Sequence, residues 1–357
     1  MIKEVTDPVI KAFSGNNGNE NRYQAEPLNG GLINHTYRVL SDQEPVLLLQ
    51  QINTQVFPAP QDVQDNYMHI WKYAKAYAPG FRLPAPVMTN DRQLLYKDNH
   101  SRYWRAFEYL RDTQALPVAE TPAQAAETAV TFAGLTATFS AMDVTVLKAV
   151  IPGFHDLAWR YRQFKDAIAS GNEVRLNKTE AMIAALLSRE RYVQFFETVK
   201  SSDAYPLRVM HHDAKIANIL FGQKDGQVVC PVDYDTVMPG YFFSDLGDMI
   251  RSMTPCADEN STDTEALCIR SDFYDAILKG YLSVMEKQFT ADEKKNIHYA
   301  GILMIYMQAL RFLADYLNND IYYRVTHPEH NYERALNQLT LLEKLERFLE
   351  QEYGFRA

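Results

Sequence analysis

The sequence predicts an α+β protein with a small N-terminal lobe, built on an antiparallel sheet, and a larger, mainly helical C-terminal lobe. Residues 21–110 are rich in short β-like runs that are separated by turn-forming residues. Beyond residue 115, apolar residues recur at helical spacing, except where short apolar strands alternate with polar loops between residues 207 and 240. We therefore expect one lobe at 1–112 and another at 113–357, with a connector near 110–115.

Individual elements follow from local signals. A short helix is expected within residues 1–20, and a second helix over 60–78 is closed by Pro79 and Gly80. Thr121, Pro122 and Gln124 together predict a capped helix start in the larger lobe. Strands are expected at 36–40, 46–52, 94–96 and 103–109, and further helical spacing occupies 157–168, 178–199, 264–286, 291–317 and 333–352.

Composition narrows the class of protein. The 357 residues are 46% hydrophobic and 23% charged, which is ordinary for a globular chain. The net charge of −9, without a long basic block, argues against non-specific nucleic-acid binding. Three cysteines without metal-type spacing argue against a zinc site or a disulfide framework. With no signal-peptide core and no apolar run of about 18 residues, we expect a cytoplasmic monomer without a membrane partner.

The segment MHHDAKIAN carries the strongest chemical signal. In it Asp213 precedes Asn218 by five positions, just after a short apolar strand, and a second apolar run leads to Asp233 and Asp235. Phosphoryl transfer needs a carboxylate that orients or deprotonates the attacking hydroxyl, and oxygen ligands for the magnesium ion of the triphosphate. We interpret Asp213 as the catalytic group, Asn218 and Asp233 as magnesium ligands, and His211 and Asp235 as structural support. The alternative is that the Asp and Asn residues only form turns.

A nucleotide-binding loop is predicted at the glycine pair Gly30 and Gly31, since glycines allow a close backbone approach to phosphates. A tight hairpin would also use them. Protein kinases place a lysine on the third strand, whereas this chain has Gln50 and Gln51 there. Either glutamine would be a neutral hydrogen-bond donor to ATP, or both simply end a strand.

The segment RYWRAFEYL resembles the kinase hinge whose backbone hydrogen-bonds adenine. Glu108 and Leu110 would supply these backbone groups, although an ordinary buried strand explains the pattern equally well. Asp245 and Asp248, in SDLGDMIR, are predicted to cap a helix start and to brace the metal loop, with Arg251 as a partner for either.

The His-x-Asp-x4-Asn segment with the following Asp-x-Asp resembles the aminoglycoside phosphotransferase and choline kinase superfamily, which implies a two-lobed protein-kinase-like fold. Further blocks narrow the resemblance to the N-acetylhexosamine 1-kinases: GLINHTYRV, LLLQQINTQVFP, RVMHHDAKIANILF, VDYDTVMPG, SDLGDMIRS and RFLADYLNNDIYY. Those enzymes use ATP and magnesium to phosphorylate the anomeric hydroxyl of N-acetylglucosamine or N-acetylgalactosamine. The resemblance implies the same reaction here, and sugar contacts from Asn34, Asp213, Thr236, Arg311 and Tyr322.

Arg311 is also notable on its own, because it sits in an otherwise apolar helix, where an arginine is costly unless it is paired or faces a ligand. A salt bridge to Asp315, four positions on, is the alternative. Tyr322 and Tyr323 are expected in a loop, and a sugar ring favours an aromatic platform.

Two other functions remain open. One is a kinase of another small alcohol, of the choline, homoserine or aminoglycoside type, and a cationic acceptor would call for an acidic or aromatic cage. The other is a non-catalytic pseudokinase that acts as a binding module. This second alternative predicts the loss of Asp213, Asn218 or Asp233, and the chain retains all three.

Overall fold

The computed structural model describes residues 2–14, 23–28 and 33–357. Gly30 and Gly31 lie outside these ranges. The chain forms two compact units. The first comprises Met1–Ala115, Ala141–Pro152 and Ile219–Met238, and the second comprises Leu116–Ser140, Gly153–Asn218 and Pro239–Ala357. An antiparallel sheet dominates the first unit and helices dominate the second, which confirms the predicted α+β class.

The strands are β1 (Tyr23–Leu28), β2 (His35–Ser41), β3 (Glu44–Ile52), β4 (Pro86–Val87), β5 (Tyr96–Lys97), β6 (Tyr103–Glu108), β7 (Thr113–Ala115), β8 (Arg208–Met210), β9 (Ile219–Gly222), β10 (Val228–Pro231) and β11 (Met238–Gly240). The helices are α1 (Ile2–Ser14), α2 (Pro60–Tyr77), α3 (Pro122–Thr138), α4 (Leu157–Ser170), α5 (Glu173–Lys178), α6 (Glu180–Leu187), α7 (Arg191–Lys200), α8 (Phe243–Met253), α9 (Ser271–Met285), α10 (Ala291–Lys295), α11 (Tyr299–Leu317) and α12 (His330–Tyr353).

The main sheet of the first unit has the order β1-β2-β3-β6-β4, and β5 also pairs with β6. All of these pairs are antiparallel. Side chains alternate between the two faces of a strand. One face of this sheet carries the buried residues Val39, Leu49, Trp104 and Ala106, which form an apolar core with Val9, Ile10 and Phe13 of α1. On the other face the register places Thr36 opposite Gln50, and Gln50 opposite Arg105. Polar side chains of three neighbouring strands are thereby aligned.

A second, three-stranded sheet of the first unit has the order β10-β9-β7 and is antiparallel. It uses part of the predicted connector, since Thr113 of β7 pairs with Gly222 of β9. The strands β9 and β10 confirm the alternation of short strands and polar loops that the sequence predicted for this region.

Helix α11 forms the centre of the second unit, where it packs against α4, α8 and α12. It is long and apolar enough to cross a membrane by length and composition, but 94% of its most apolar window is buried inside the protein. Helix α11 is therefore a core helix of the second unit that carries three polar positions. Those positions are Gln308, Arg311 and Asp315.

Several helix boundaries follow the predicted signals. Helix α2 begins at Pro60, and α3 begins after a complete capping box in which Thr121 accepts from the Gln124 amide and the Gln124 side chain reaches back. Asp156 caps α4 by accepting a hydrogen bond of 2.9 Å from the Trp159 amide.

Three predicted helices were wrong in extent. The stretch 291–317 is divided between α10 and α11 by a turn at residues 296–298. The stretch 178–199 is divided among α5, α6 and α7. The first break lies at Thr179, whose hydroxyl donates to the Arg175 carbonyl at 2.7 Å. The second break lies at Arg189, whose guanidinium donates to the carboxylate of Glu346 in α12. The stretch 264–286 becomes helical only at Ser271, because polar turns and a Cys256–Cys268 backbone pair occupy the preceding residues.

Candidate active site

The loop that carries Asp213 starts where β8 ends. Its first two residues, His211 and His212, donate their backbone N–H groups to the carboxylate of Asp245, at 2.9 and 2.7 Å. His212 has a φ of 63°, a left-handed conformation that costs a non-glycine residue about 1 kcal/mol or more. The fully buried Asp245 therefore fixes a backbone that would otherwise relax.

Close packing supports the same loop. His211 is fully buried, and its ring contacts the edge of the Phe132 ring on α3 at a centroid distance of 5.0 Å. A Cβ atom added to Gly240 would lie 2.5 Å from Nε2 of His212, so only glycine fits at that position. The support role of His211 stays a prediction, but the structure places it where such a role is possible.

Asp213 and Asn218 are joined directly. The amide nitrogen of Asn218 donates to the Asp213 carbonyl at 2.9 Å and to Oδ2 of the same residue at 2.8 Å. Since the amide nitrogen is turned towards Asp213, the amide oxygen of Asn218 points the other way, as a metal ligand requires. Lys215 Nζ also lies 2.9 Å from Asp213 Oδ2. The pair is thus pre-formed by local contacts.

The pKa of Asp213 reflects two opposed effects. Burial raises it, but the charge and hydrogen bond of Lys215 outweigh that effect, so that the pKa lies below its ordinary value. The carboxylate is therefore ionised at neutral pH, and its Oδ2 is already engaged by two donors.

Asp233 precedes a short 3-10 turn in the first unit, and Asp235 lies within that turn. Asp233 is exposed and left-handed, with φ 63° and ψ 61°, directly before the turn Tyr234–Thr236. Asp235 is only 3% exposed; it forms an ion pair with Arg105 and accepts a hydrogen bond of 2.5 Å from Nδ2 of Asn34. The first carboxylate thus faces solvent, whereas the second anchors the turn.

The predicted metal ligands suit magnesium by their chemistry. The residues that the structure describes contain no cluster of three or more His, Cys, Asp or Glu that could hold a metal ion. Magnesium does not need one, because it binds through one or two carboxylates together with phosphate oxygens and water. The amide oxygen of Asn218 and the exposed carboxylate of Asp233 are hard oxygen donors of that kind.

Three of the residues predicted to contact the nucleotide, Gln50, Glu108 and Leu110, form hydrogen bonds within the protein. Gln50 accepts from Arg105 Nε at 3.0 Å and donates to Thr36 at 3.2 Å. The Glu108 amide pairs with the Ala85 carbonyl at 2.8 Å, which leaves the Glu108 carbonyl as the group of that residue that can meet adenine. At Leu110 the carbonyl accepts from the Thr113 hydroxyl at 2.8 Å, which leaves its N–H for the same purpose.

Arg311 in the second unit faces aromatic rings. Its guanidinium lies 5.3, 5.9 and 5.5 Å from the ring centroids of Phe154, Tyr322 and Tyr323, within the range of cation–π contacts. It also donates to Oε1 of Gln308 at 3.1 Å. Within the part of the chain that the structure describes, no carboxylate forms an ion pair with Arg311.

The alternative of an Arg311–Asp315 salt bridge is wrong. The Asp315 carboxylate instead accepts the backbone N–H groups of Tyr322 at 2.8 Å and Tyr323 at 2.9 Å. The amide of Asn331 adds a third hydrogen bond at 2.9 Å. Asp315 therefore anchors the loop that carries Tyr322 and Tyr323. The guanidinium of Arg311 is not neutralised by Asp315.

His155 and Arg160, which the sequence did not assign to the site, both contact Phe154 beside Arg311, and His155 also lies next to the catalytic loop. The His155 ring stacks on Phe154 at 4.4 Å and lies 5.2 Å from the His212 ring, next to Asp213 in sequence. Arg160 donates to the Phe154 carbonyl. Burial and, after it, the like charge of Arg311 lower the pKa of Arg160 to about 10. The cluster is thus cationic and aromatic.

The predicted roles of Asp245 and Asp248 were half right. Both lie within α8 and neither caps it, so the capping prediction was wrong. Asp245 does brace the loop, as described above, and Arg251 lies 3.1 Å from Asp248, which confirms the expected ion pair. The sequence pattern could not tell that the helix begins before both aspartates.

Asp245 should make stability depend on pH. Burial raises its pKa to about 7, against the two backbone hydrogen bonds that lower it. Because the pKa in the folded protein exceeds the unfolded value of about 3.9, ionisation disfavours the folded state as the pH rises between the two values. We expect the stability deficit of Asp245→Asn, relative to the wild type, to shrink as pH rises from about 4 to about 8. Urea unfolding across that range measures this, and a constant deficit would contradict it.

Fold and site together define a kinase-like phosphotransferase. Residues 24–284 match the family described as "Phosphotransferase enzyme family" (APH). The chain belongs to this family and is a small-molecule phosphotransferase that acts on a hydroxyl group.

Solved structures of low sequence identity share the fold. A microcompartment-associated aminopropanol kinase matches with a TM-score of 0.63 and 15% identity, over 98% of both chains. An amicoumacin kinase in complex with AMP-PNP, Ca2+ and Ami has a TM-score of 0.63 and 13% identity, over 96% of this chain and 93% of its own. Choline kinase from Cryptosporidium parvum Iowa II has a TM-score of 0.59 and 14% identity, over 98% and 97%.

Proposed function

We propose that this protein transfers the γ-phosphate of ATP, with magnesium, to the anomeric hydroxyl of an N-acetylhexosamine such as N-acetylglucosamine or N-acetylgalactosamine. The observation that carries the proposal is the position of Arg311 over three aromatic rings, in the same unit as Asp213. The resemblance of the sequence blocks around both residues to N-acetylhexosamine 1-kinases supports it.

The charge of this cluster favours a neutral acceptor over a cationic one. Choline and amino alcohols are positively charged, and they would be repelled by Arg311 and Arg160, neither of which forms an ion pair with a carboxylate of the described residues. A sugar offers hydroxyl and acetamido oxygens that accept hydrogen bonds from a guanidinium, and a ring face that packs on aromatic side chains such as Tyr322. Tyr322 is 55% exposed, so its ring is available for such a contact.

Asp213 would act on the acceptor hydroxyl. Its carboxylate orients the hydroxyl and takes up the proton as the oxygen attacks the γ-phosphorus and the bond to the β-phosphate oxygen breaks. Asn218 and Asp233 would hold magnesium, which neutralises charge on the phosphate oxygens. Asn34 and Thr236 remain proposed sugar contacts. Both ends of the Asn34 amide are already hydrogen-bonded, to Asp235 and to the Asn53 amide, so Asn34 also has a structural role.

ATP binding is assigned to residues 1–112 and the acceptor to residues 113–357. Within the first range, Gly30 and Gly31 would cover the phosphates, Gln50 would donate to them, and the backbone at Glu108 and Leu110 would bind adenine. We further propose that the protein works as a monomer in the cytoplasm, where its free thiols stay reduced.

A substrate panel tests the proposal. The protein is incubated with ATP and magnesium and, in separate reactions, with N-acetylhexosamines, plain hexoses, choline, homoserine and an aminoglycoside. Phosphorus NMR then identifies the phosphorylated product. We expect an anomeric sugar phosphate from the N-acetylhexosamines. Phosphorylation of choline, homoserine or the aminoglycoside alone would favour the second candidate, a kinase of another small alcohol, and no transfer to any acceptor would favour a pseudokinase.

Arg311→Met should weaken acceptor binding selectively. We expect the KM for the sugar to rise about tenfold or more, because a charged hydrogen-bond donor is lost, while the KM for ATP stays unchanged. Arg311→Lys should rescue little, since an ammonium group lacks the planar fork that lies over the rings. Steady-state kinetics with each substrate varied measures both values. Arg324→Met, which removes an exposed arginine of the loop that carries Tyr322, is the control and should behave as wild type.

A further inference from the structure

A row of polar side chains crosses the main sheet at the point where protein kinases have their strand lysine. Gln50 Nε2 donates to the Thr36 hydroxyl at 3.2 Å, Arg105 Nε donates to Gln50 Oε1 at 3.0 Å, and Arg105 Nη2 is paired with Oδ1 of Asp235. We call these four residues the arginine row. All of them belong to the first unit.

The cation of this row is not available to solvent. Arg105 is 2% exposed and Asp235 is 3% exposed. A buried charge costs several kcal/mol unless it is paired and hydrogen-bonded, and here each charge has the other as its partner. Gln50 adds a hydrogen bond to the buried guanidinium. Its amide nitrogen donates to Thr36, so its amide oxygen is turned to Arg105 and accepts from Nε. The guanidinium of Arg105 is thus paired with Asp235 and is not available to bind a phosphate of ATP.

Asp235 in turn determines the backbone two residues earlier. Asp233 holds a left-handed conformation that costs a non-glycine residue about 1–3 kcal/mol, and such strain persists only where the surroundings impose it. The turn is tied at one end by the Arg105–Asp235 ion pair. At the other end, Nδ2 of Asn66 donates to the Val237 carbonyl at 2.9 Å. Asn34 also donates to Asp235, so without the ion pair the turn loses its charged anchor and keeps this neutral hydrogen bond.

We propose that Arg105 is a positioning residue for the metal site: by anchoring Asp235, it holds Asp233 in the left-handed conformation that presents its carboxylate to magnesium. The proposal rests on the assignment of Asp233 as a magnesium ligand. It also gives the glutamine of the third strand a function, since Gln50 orients the arginine that the neighbouring strand supplies.

The test measures metal binding without any acceptor. Mn2+ is titrated into the full-length protein with saturating AMP-PNP, and free Mn2+ is followed by electron paramagnetic resonance. We expect Arg105→Met to weaken Mn2+ binding about 10- to 100-fold, as the loss of groups that orient metal ligands does elsewhere. Arg111→Met is the matched control, because Arg111 also pairs with a carboxylate, that of Glu44, but on the surface. It should leave Mn2+ binding unchanged.

Two further variants distinguish weaker metal binding from loss of the fold. Arg105→Met leaves the Asp235 carboxylate buried without its cation, a change large enough to unfold a marginally stable protein by itself. Arg105→Lys keeps a cation, and the double variant Arg105→Gln with Asp235→Asn replaces the ion pair by a neutral pair. Both should unfold cooperatively and still bind Mn2+ more weakly than the wild type, Arg105→Lys less severely.

The outcomes separate this inference from the proposed function. Normal Mn2+ binding by the folded Arg105 variants would overturn it, whatever the acceptor is. An equal loss of Mn2+ binding in Arg105→Gln, Asp235→Asn and the double variant would support it, because non-additive effects mark residues that act through one another. If the wild type phosphorylates no sugar but its Mn2+ binding depends on Arg105, the proposed acceptor is wrong and the role of Arg105 stands.

Discussion

Replacing Asp213 with asparagine is expected to lower turnover about 1,000-fold or more, while AMP-PNP binding and the midpoint of thermal unfolding stay close to wild type. The amide cannot accept the proton of the attacking hydroxyl, but its oxygen can still receive the hydrogen bonds that Lys215 and Asn218 donate to Oδ2. A chemical group is therefore removed with little change of shape. Product formation with saturating ATP and acceptor measures the loss.

The matched control for that variant is Asp203→Asn, which makes the same chemical change at an exposed position ten residues earlier. It should retain full activity. Near-normal turnover in Asp213→Asn would remove Asp213 from the catalytic role. A variant that is inactive but also unfolded at room temperature would instead assign the residue a structural role in the loop, through its bonds to Lys215 and Asn218.

Asp245→Asn should have the second largest effect, although Asp245 touches no substrate in the proposed mechanism. Above the Asp245 pKa of about 7, one oxygen of the ionised carboxylate accepts the N–H of His211 and the other accepts the N–H of His212. An amide keeps one acceptor and turns its own NH2 group towards the other N–H. We expect a loss of about 1–3 kcal/mol in the free energy of unfolding, and turnover about 100-fold lower because the loop of Asp213 is displaced.

Urea unfolding and steady-state kinetics measure the two effects separately. Asp166→Asn, an exposed position within α4, is the control and should change neither. If Asp245→Asn loses stability but keeps wild-type turnover, the carboxylate supports only the fold. Wild-type values for both would mean that the loop is held without Asp245.

The elements that the sequence predicted well are those with local signals. The capping box of Thr121 and Gln124 lies within four residues, and the short β-like runs that became β2 and β3 are recognised without a distant partner. The family and the catalytic segment around Asp213 were also accessible, because the functional side chains lie close together in the chain. Where a helix depended on a distant contact, as at Arg189 with Glu346, the predicted boundary failed.

The contacts that position the site were predicted only in part: Asp245 was expected to brace the loop, but its hydrogen-bond partners and the role of Arg105 were not predicted. Asp245 reaches His211 across 34 positions, and Arg105 reaches Asp235 across 130. Nothing in the local pattern shows which carboxylate accepts a loop amide or pairs with a distant arginine. One signal could have pointed to Arg105: a charged residue between Trp104 and Ala106 in an apolar strand needs a buried partner.

The arginine row has a consequence for chemical probes of kinases. In protein kinases the lysine of the third strand lies beside the triphosphate, where a nucleotide analogue that carries an amine-reactive group can label it. Here that strand offers the amide of Gln50, and the neighbouring cation is a guanidinium that stays protonated and is occupied by Asp235. Such a reagent should bind the protein reversibly and leave it unlabelled at this position. A profiling experiment that reads only labelling of the third-strand lysine would therefore overlook an active enzyme of this type.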